Sequence, residues 1–489
     1  MSARHAPIDC DVLVIGSGAG GSVAARALAS AGREVTVLEE GPRVGVDEIA
    51  AGTQAENMRR LYRHGGLTPI FGRPMVAYGE GRCVGGTTMV NGGLLWAPPE
   101  ALLDRWADRS GIGGYRAGDL AGHLGAIASR LGAGFQHDGE GNRDSTLLAD
   151  GADRLGWRWQ FARRAVRDCR HSNRCTTGCP RGAKQNMAET YLADAELLSA
   201  RVVPDQRVVR LEHDRGRVHA VHVAGAGDRR RRTYRPREVF LAAGPIGSAA
   251  LLQRSSIQPQ SAGREMAFHV NLRTVARFPD RVDAARGTIF TRQVHQFTAD
   301  GVLIMPSNVS AGGLGAAVAA APPALVDGLL ADIDRLGVYT TQVRVRGTAR
   351  IRTGPLGVTL RHSLSAEDGT ALRTAFRNTA RVLFAAGAEQ LHPPLPGSRP
   401  LGSLDEVDAM LAGTRIGDWE LISVHGMASC RMGRPERGGV CDDRGRPYGM
   451  ANLRVCDASV LPGLTGISPQ GTIMAFSQEV ADRFISDSH

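Results

Sequence analysis

The chain has 489 residues and a formal net charge of +10; 42% of its residues are hydrophobic and 22% charged. That length exceeds one typical core and implies two or three domains, and the composition fits a soluble globular protein. No run approaches the roughly 18 apolar residues that span a bilayer. The start, "MSARHAPIDCDVLVIG", runs almost directly into a strand-like segment with no room for a secretory leader, so a cytoplasmic protein is expected.

Lys184 is the only lysine, so the basicity is almost all arginine. The one dense run, Arg229 to Arg232 in "GDRRRRTYRPRE", lies between strand-like "RVHAVHV" and "EVFLAAG" and reads as a solvated hairpin tip. No aromatic residues interleave with it, so no nucleic-acid partner is expected. The eight cysteines, in a chain without a leader, do not read as a disulfide framework.

From the amino terminus, "DVLVIG" is a continuous apolar run, expected as a buried parallel strand. It enters Gly16-x-Gly18-x-x-Gly21, then an alanine-rich helix stopped by Gly32, then the strand "EVTVLEE". This is a βαβ dinucleotide-binding unit. Gly16 permits the tight turn, Gly18 lets the backbone approach a pyrophosphate, and Gly21 lets helix and strand pack closely. The helix start offers its positive dipole end to phosphates. Glu39, closing the second strand, is placed to accept hydrogen bonds from an adenosine ribose. The segment alone does not separate FAD from NAD.

"GEGRCVGGTTMVNGGLLW" follows, from Gly79 to Trp96, a glycine-dense loop whose backbone comes close to something flat or anionic. Beyond it lie "EVFLAAGPIGSAALLQRSSI", "SVHGMASCRMG" and "NLRVCDASVLPGLTGISPQGTIMAFSQEVADRFI". Taken in this order, the blocks resemble the glucose–methanol–choline (GMC) oxidoreductases, which are FAD-dependent. "GGTTMVNGG" is similar to the first signature of that family, "LAAGPIGSAALLQRS" to the second, "HGMASCRMG" to the block with the catalytic histidine, and "NLRVCDASVLP" to the strand that reaches the flavin. Residues from about 266 to 420 are less similar.

The resemblance implies an α/β fold, with a Rossmann-like FAD-binding domain and an α+β substrate domain built on an antiparallel sheet. The FAD domain is expected from 1–105, 150–265 and 425–489, and the substrate domain from 106–149 and 266–424. Gly16, Gly18, Gly21 and Glu39 are implied to hold the ADP half of FAD. Gly85, Gly86, Thr87 and Asn91 are implied along the pyrophosphate and ring, with Val208 at the adenine and Asp457 at the phosphate–ribityl region. Pro469 and Gln470 complete the implied cofactor set. Members with a histidine-linked flavin carry that histidine in the first signature, where this chain has Met89 and Val90, so the FAD is expected to be non-covalent. "LSAEDGTALRTAFRNTARVLFAAGA" is expected as a substrate-domain helix with an apolar stripe of Leu372, Ala375, Ala380, Leu383 and Phe384 and a stop at Gly387.

Oxidising an alcohol removes a proton from oxygen and a hydride from carbon. The hydride is the cofactor's business; the proton needs a group such as histidine. His425 is expected as the general base, on the context of "HGMASCRMG". His269 and His295, in strand-like stretches, are candidates to line the pocket, while His362 and His392 carry no motif. No zinc spacing and no G-x-S-x-G appear. The family places a second catalytic residue, His or Asn, fourteen positions ahead of the aligned Asp482. Here that position is Ser468, which with Pro469 behind it also suits a helix N-cap. The expectation is that Ser468 caps the helix and that His425 works largely alone, with Gln470 or a water in the gap.

"CRHSNRCTTGCPRGAK" spaces Cys169, Cys175 and Cys179 as C-x5-C-x3-C. It is similar to the catalytic subunit of bacterial FAD glucose dehydrogenases, where three such cysteines hold an iron–sulfur cluster. It is also similar to family members, including long-chain alcohol oxidases, with a Cys- and Gly-rich loop and no cluster. Three readings stand: a cluster, a reduced structural loop over the flavin, or a Cys–Cys bond. The leading functional expectation is an FAD-dependent alcohol oxidase or dehydrogenase acting on a small-molecule alcohol, with oxygen or a redox partner as electron acceptor. The alternatives are a lyase-like non-redox flavoprotein and a dehydrogenase subunit passing electrons through the cysteine loop.

Overall fold

The computed structural model describes residues 6–488 apart from 138, 140, 226–230, 308–309, 319–322 and 356. The first strand, Ile8–Ile15, runs parallel to Val35–Leu38, and the helix Ala19–Ser30 makes the crossover. Val12 to Val14 are wholly buried because helices cover both faces of a parallel sheet. This sheet has seven strands. In spatial order they are Arg201–Val203, Val35–Leu38, Ile8–Ile15, Arg231–Leu241, Arg217–Gly225 and Gln206–Asp214, with Leu453–Val455 paired to Arg231–Leu241. The inner pairs are parallel and the last two antiparallel. Arg231 and Arg232 continue the hairpin strand, antiparallel to Arg217–Gly225; Arg229 and Arg230 lie outside the described residues.

A second sheet has eleven strands and is mostly antiparallel. Its centre is the long pair Met266–Arg277 and Leu336–Gly354. Leu421–Ser423 and Gly426–Met427 pair with the first of these, Val302–Pro306 and Gly357–Ser363 with the second. Strands Thr68–Ile70, Val76–Tyr78 and Trp159–Phe161 join this sheet from segments on the FAD side of the expected domain division. The expected helix runs from Ala366 to Ala385, started by a reciprocal Ser365–Asp368 capping box. Leu372, Ala375, Ala380 and Leu383 are buried, and Gly387 follows with φ +95°. The strand Leu453–Val455 and the helix Gln470–Asp487 bring the carboxyl-terminal segment back beside the first βαβ unit. Among the described residues, no helix is long and apolar enough to cross a membrane.

Candidate active site

One cavity of about 810 Å³ runs between the two sheets, a volume in the range of a ligand pocket. At one end lies the amino-terminal glycine turn. Gly16 has φ +101°, and a Cβ there would stand 2.2 Å from the Ala242 carbonyl oxygen. A Cβ on Gly21 would stand 2.1 Å from the Gly16 oxygen, so Gly21 packs the helix against the strand and does not line the cavity. A Cβ on Gly18 would meet nothing within 4 Å. Gly18, Ala19 and Gly20 line the cavity, and their helix has no side-chain cap. Uncapped first-turn amides beside open space suit an anion.

Glu39 is buried beside this turn. Its Oε2 accepts from the Ser17 amide at 3.1 Å and the Ser17 hydroxyl at 2.6 Å, and Oε1 accepts from the Gly41 amide at 2.9 Å. Burial pushes the carboxyl above its ordinary range, and these donors pull it back. Gly85 turns the signature loop with φ +91° and donates its N–H to the Ser17 hydroxyl at 3.0 Å. Ser17 therefore ties the two glycine-rich loops together, a role the glycine spacing alone does not reveal. Gly86, Thr87 and Asn91 line the cavity, and Val208 does so from the antiparallel edge of the first sheet.

From the carboxyl-terminal side, Asp457 accepts from the Gly244 amide at 2.9 Å and the Ser248 hydroxyl at 2.5 Å through Oδ2, and from the Ser459 amide at 2.7 Å through Oδ1. Burial again pushes this carboxyl upward. The Asn91 amide donates to Gln470 Oε1 at 2.6 Å, joining the signature loop to the start of the last helix. Open glycine, uncapped helix start, buried acids and cavity volume together fit an adenine dinucleotide with a flat ring system.

Ser468 and Pro469 also line the cavity, but the expected N-cap is absent. Pro469 itself takes the cap position, in the αR region, and no side chain caps the helix. The Ser468 hydroxyl turns the other way and donates to the Leu94 carbonyl at 3.4 Å. Ser468→Ala is therefore expected to cost no more than this one long hydrogen bond, about 0.5–1.5 kcal/mol, with no capping contribution. A urea melt checks this.

The largest departure from the expected arrangement is at His425, which does not stand alone. Phe268 pairs with Gly426 and Ala267 with Met427 in antiparallel register, which sets His425 beside His269. Their Nδ1 atoms are 3.1 Å apart and the rings are edge-on, at 77°. His269 is fully buried. Its other nitrogen, Nε2, accepts from the Gly466 amide at 3.2 Å. Accepting the Gly466 N–H at Nε2 requires a lone pair there, so the proton of neutral His269 sits on Nδ1. It is donated to Nδ1 of His425, which leaves the His425 proton on Nε2. Burial pulls His425 down to about 4 and His269 well below its ordinary value, so both are neutral at pH 7. His295 instead packs on Trp96 and contacts Gln160, and it does not line the cavity.

The three cysteines of the central loop are all free thiols. They line a separate cavity of about 10 Å³. Cys175 accepts from the Arg164 guanidinium at 3.2 Å, and Cys169 lies 3.8 Å from the Thr288 hydroxyl. Among the described residues no group of three or more His, Cys, Asp or Glu side chains converges as a metal requires. These residues as placed do not fit a cluster. The sole lysine ties this loop to the glycine-dense loop of residues 79–96. Lys184 Nζ donates to the carbonyls of Met89 (2.8 Å), Asn91 (2.8 Å) and Cys175 (2.7 Å), with burial pushing the amine down to about 8.

Sequence profiles described as GMC oxidoreductase match residues 58–271 and 340–477, and an NAD(P)-binding Rossmann-like profile matches residues 14–63. An uncharacterized GMC-type oxidoreductase of Mycobacterium tuberculosis is 33% identical over 97% of this chain and 76% of its own length. The chain belongs to the GMC oxidoreductase family. A second GMC-type relative, from Sinorhizobium fredii, is 32% identical over 98% of this chain and 95% of its own. A long-chain-alcohol oxidase of Arabidopsis thaliana is 27% identical, covering 98% of this chain and 67% of its own. Among solved structures, pyridoxine 4-oxidase from Mesorbium loti superposes with a TM-score of 0.74 at 19% identity, over 98% of this GMC chain and 99% of its own. Formate oxidase of Aspergillus oryzae gives 0.76 at 15% identity, over 99% of both chains. At such identities these two establish the GMC fold.

Proposed function

We propose that this chain is an FAD-dependent oxidoreductase that converts the CH–OH group of a small-molecule alcohol to a carbonyl, with His425 as the acid–base residue. The observation that carries the reading is half-buried His425 on the wall of the cavity that also holds the glycine turn, backed by fully buried His269, which does not itself line the cavity. Bound there, FAD supplies the hydride acceptor, and oxygen or a redox partner takes the electrons away. Residues 1–105, 150–265 and 425–489 would form the part that holds it, and 106–149 with 266–424 the part that faces the substrate. Within the first part, Gly16, Gly18, Glu39, Gly85, Gly86 and Thr87 would hold the dinucleotide, Val208 the adenine, and Asn91, Asp457, Pro469 and Gln470 the ring end.

His425 first meets the alcohol as a donor, because its Nε2 carries the proton. Taking up the hydroxyl proton at Nε2 requires the other neutral arrangement of the pair. To reach it, the Nδ1 proton of His269 passes to Nδ1 of His425, the Nε2 proton of His425 is released to cavity water, and His269 takes up one proton from water at Nε2, against the Gly466 amide. That arrangement gives up the Gly466 hydrogen bond and leaves two buried N–H donors facing each other, at about 1–3 kcal/mol for each donor left unsatisfied. The pair thus holds the substrate oxygen in one form and accepts its proton in the other. Ser468 is too short, and turned too far toward Leu94, to share this work.

The anaerobic addition of alcohols to the holoprotein tests the reaction, with bleaching of the flavin absorbance expected. A panel of primary and secondary alcohols that leaves the spectrum unchanged removes the reading. With Met89 and Val90 in place of a linking histidine, the flavin is expected to be free. Acid precipitation should give a yellow supernatant and a colourless pellet, and a yellow pellet shows a covalent bond.

A further inference from the structure

The strand Met266–Arg277 presents His269, Asn271 and Arg273 at alternate positions, and alternate residues of a strand share one face. His269 meets the acid–base histidine; Asn271 and Arg273 line the cavity farther along. Arg273 sits between wholly buried Leu272 and Thr274. Among the described residues its guanidinium makes no hydrogen bond or ion pair; Tyr62 and then Glu420 act on it electrostatically. The arginines at the dinucleotide end differ. Arg63 is paired with Glu40 and Glu80, Arg207 lies 3.9 Å from Glu40, and Arg254 is drawn toward the same Glu40.

A half-buried guanidinium with no hydrogen bond or ion pair is costly, and desolvation by the surrounding protein pulls its pKa below the ordinary value. Two further polar side chains stand beside it. Thr340 lies directly across from Arg273 in the sheet and Asn271 across from Gln342. Thr340 and Asn271 both line the cavity and make no side-chain hydrogen bond among the described residues. A planar fork of donors flanked by a hydroxyl and an amide matches the oxygens of a carboxylate. Four residues separate Arg273 from His269, about 13 Å along a strand.

We infer that the cavity takes an alcohol that carries a carboxylate at its far end, bound by Arg273 with Asn271 and Thr340. The inference rests on the alcohol-oxidising reading for the reacting end alone. The anion subsite stands on the strand's own geometry.

The holoprotein and its Arg273→Leu and Arg273→Lys variants test it with decanoate, decanol, ω-hydroxydecanoate and a panel of shorter alcohols. Binding is read from perturbation of the flavin spectrum and by calorimetry, turnover from anaerobic flavin reduction. Decanoate should bind more tightly than decanol, and about 10–100-fold more weakly in Arg273→Leu, the range for a hydrogen-bonded charged group. The preference for ω-hydroxydecanoate over decanol in kcat/KM should fall by a similar factor, and Arg273→Lys should restore part of it. Equal losses for acid and alcohol, or no preference in the parent, overturn the subsite. Loss of flavin from Arg273→Leu overturns it too, and makes Arg273 a cofactor ligand. If decanoate binding depends on Arg273 but no alcohol bleaches the flavin, the acid subsite stands and the alcohol reading falls. If alcohols bleach it with no dependence on Arg273, the reverse holds.

Discussion

His425→Ala is expected to lower the anaerobic rate of flavin reduction by about 10² to 10⁴, the usual contribution of an acid–base group, while the flavin stays bound. Retention of the flavin follows from the site's layout. The residues proposed to hold the dinucleotide lie on the glycine turn, the signature loop and the last helix, and Ser17, Asn91 and Gln470 connect these to one another. His425 contributes to none of those links. Stopped-flow reduction with a saturating alcohol gives the number, and a loss below about threefold, far under that range, moves the acid–base role elsewhere. The pH profile gives a second reading. Proton uptake needs neutral His425, and burial holds its pKa at about 4. The rate should therefore be level from pH 8 to about pH 5 and fall tenfold per unit below about pH 4, as the proton already on the ring blocks uptake. A limb near the ordinary histidine value of about 6.5 would mean that the ring is solvated in the working enzyme.

His269→Gln is expected to cost about 10–100-fold in the same rate, the scale of one hydrogen bond to a charged group. Glutamine can copy one of the two arrangements of the histidine pair. Its carbonyl oxygen can accept from Gly466 while its amide donates to Nδ1 of His425. It cannot copy the other, because turning its oxygen toward His425 sets its NH₂ against the Gly466 amide. The variant thus keeps His425 as an Nε2–H donor and blocks the form that accepts a proton. Substrate binding should change little while the reduction step slows, so the loss falls on kcat more than on KM. A His269→Gln protein that reduces its flavin as fast as the parent would show that the donor form is the working form. His425 would then be an oxygen-binding group and the base another residue or a water. His269 acts through His425 and is a positioning residue.

Local backbone demands were the most legible part of the chain. Gly16, Gly21 and Gly85 are glycines because of a positive φ or a close approach of neighbouring backbone, and such demands leave a spacing in the sequence. The helix Ala366–Ala385 was legible for a similar reason, since its cap and apolar stripe lie within one segment. The cofactor candidates Gly18, Glu39, Gly86, Thr87, Asn91, Val208, Asp457, Pro469 and Gln470 do meet around one cavity, from four separate parts of the chain. The partner of His425 was not legible. His269 is 156 positions away, and only the register of one short strand against Met266–Arg277 brings the rings together. Arg273 was hidden in the same way, because an arginine in a strand looks solvated until the other face of the sheet is known. The Ser468 cap failed at the smallest scale. Proline in the αR region took the cap position and turned the serine toward Leu94.

The arginine-only surface has a practical corollary at Lys184. Apart from the α-amino group, this chain carries a single primary amine, and that amine is 1% exposed and shared among three carbonyls. Amine-directed labels, cross-linkers and acyl donors therefore find almost nothing to react with on the folded protein. Lys184 would become reactive if residues 89–91 separated from the cysteine loop, a movement that would also displace Val90 and Asn91 from the cavity wall. Acylation at that one position is thus a built-in clock for opening of the site, readable by mass spectrometry without any introduced probe.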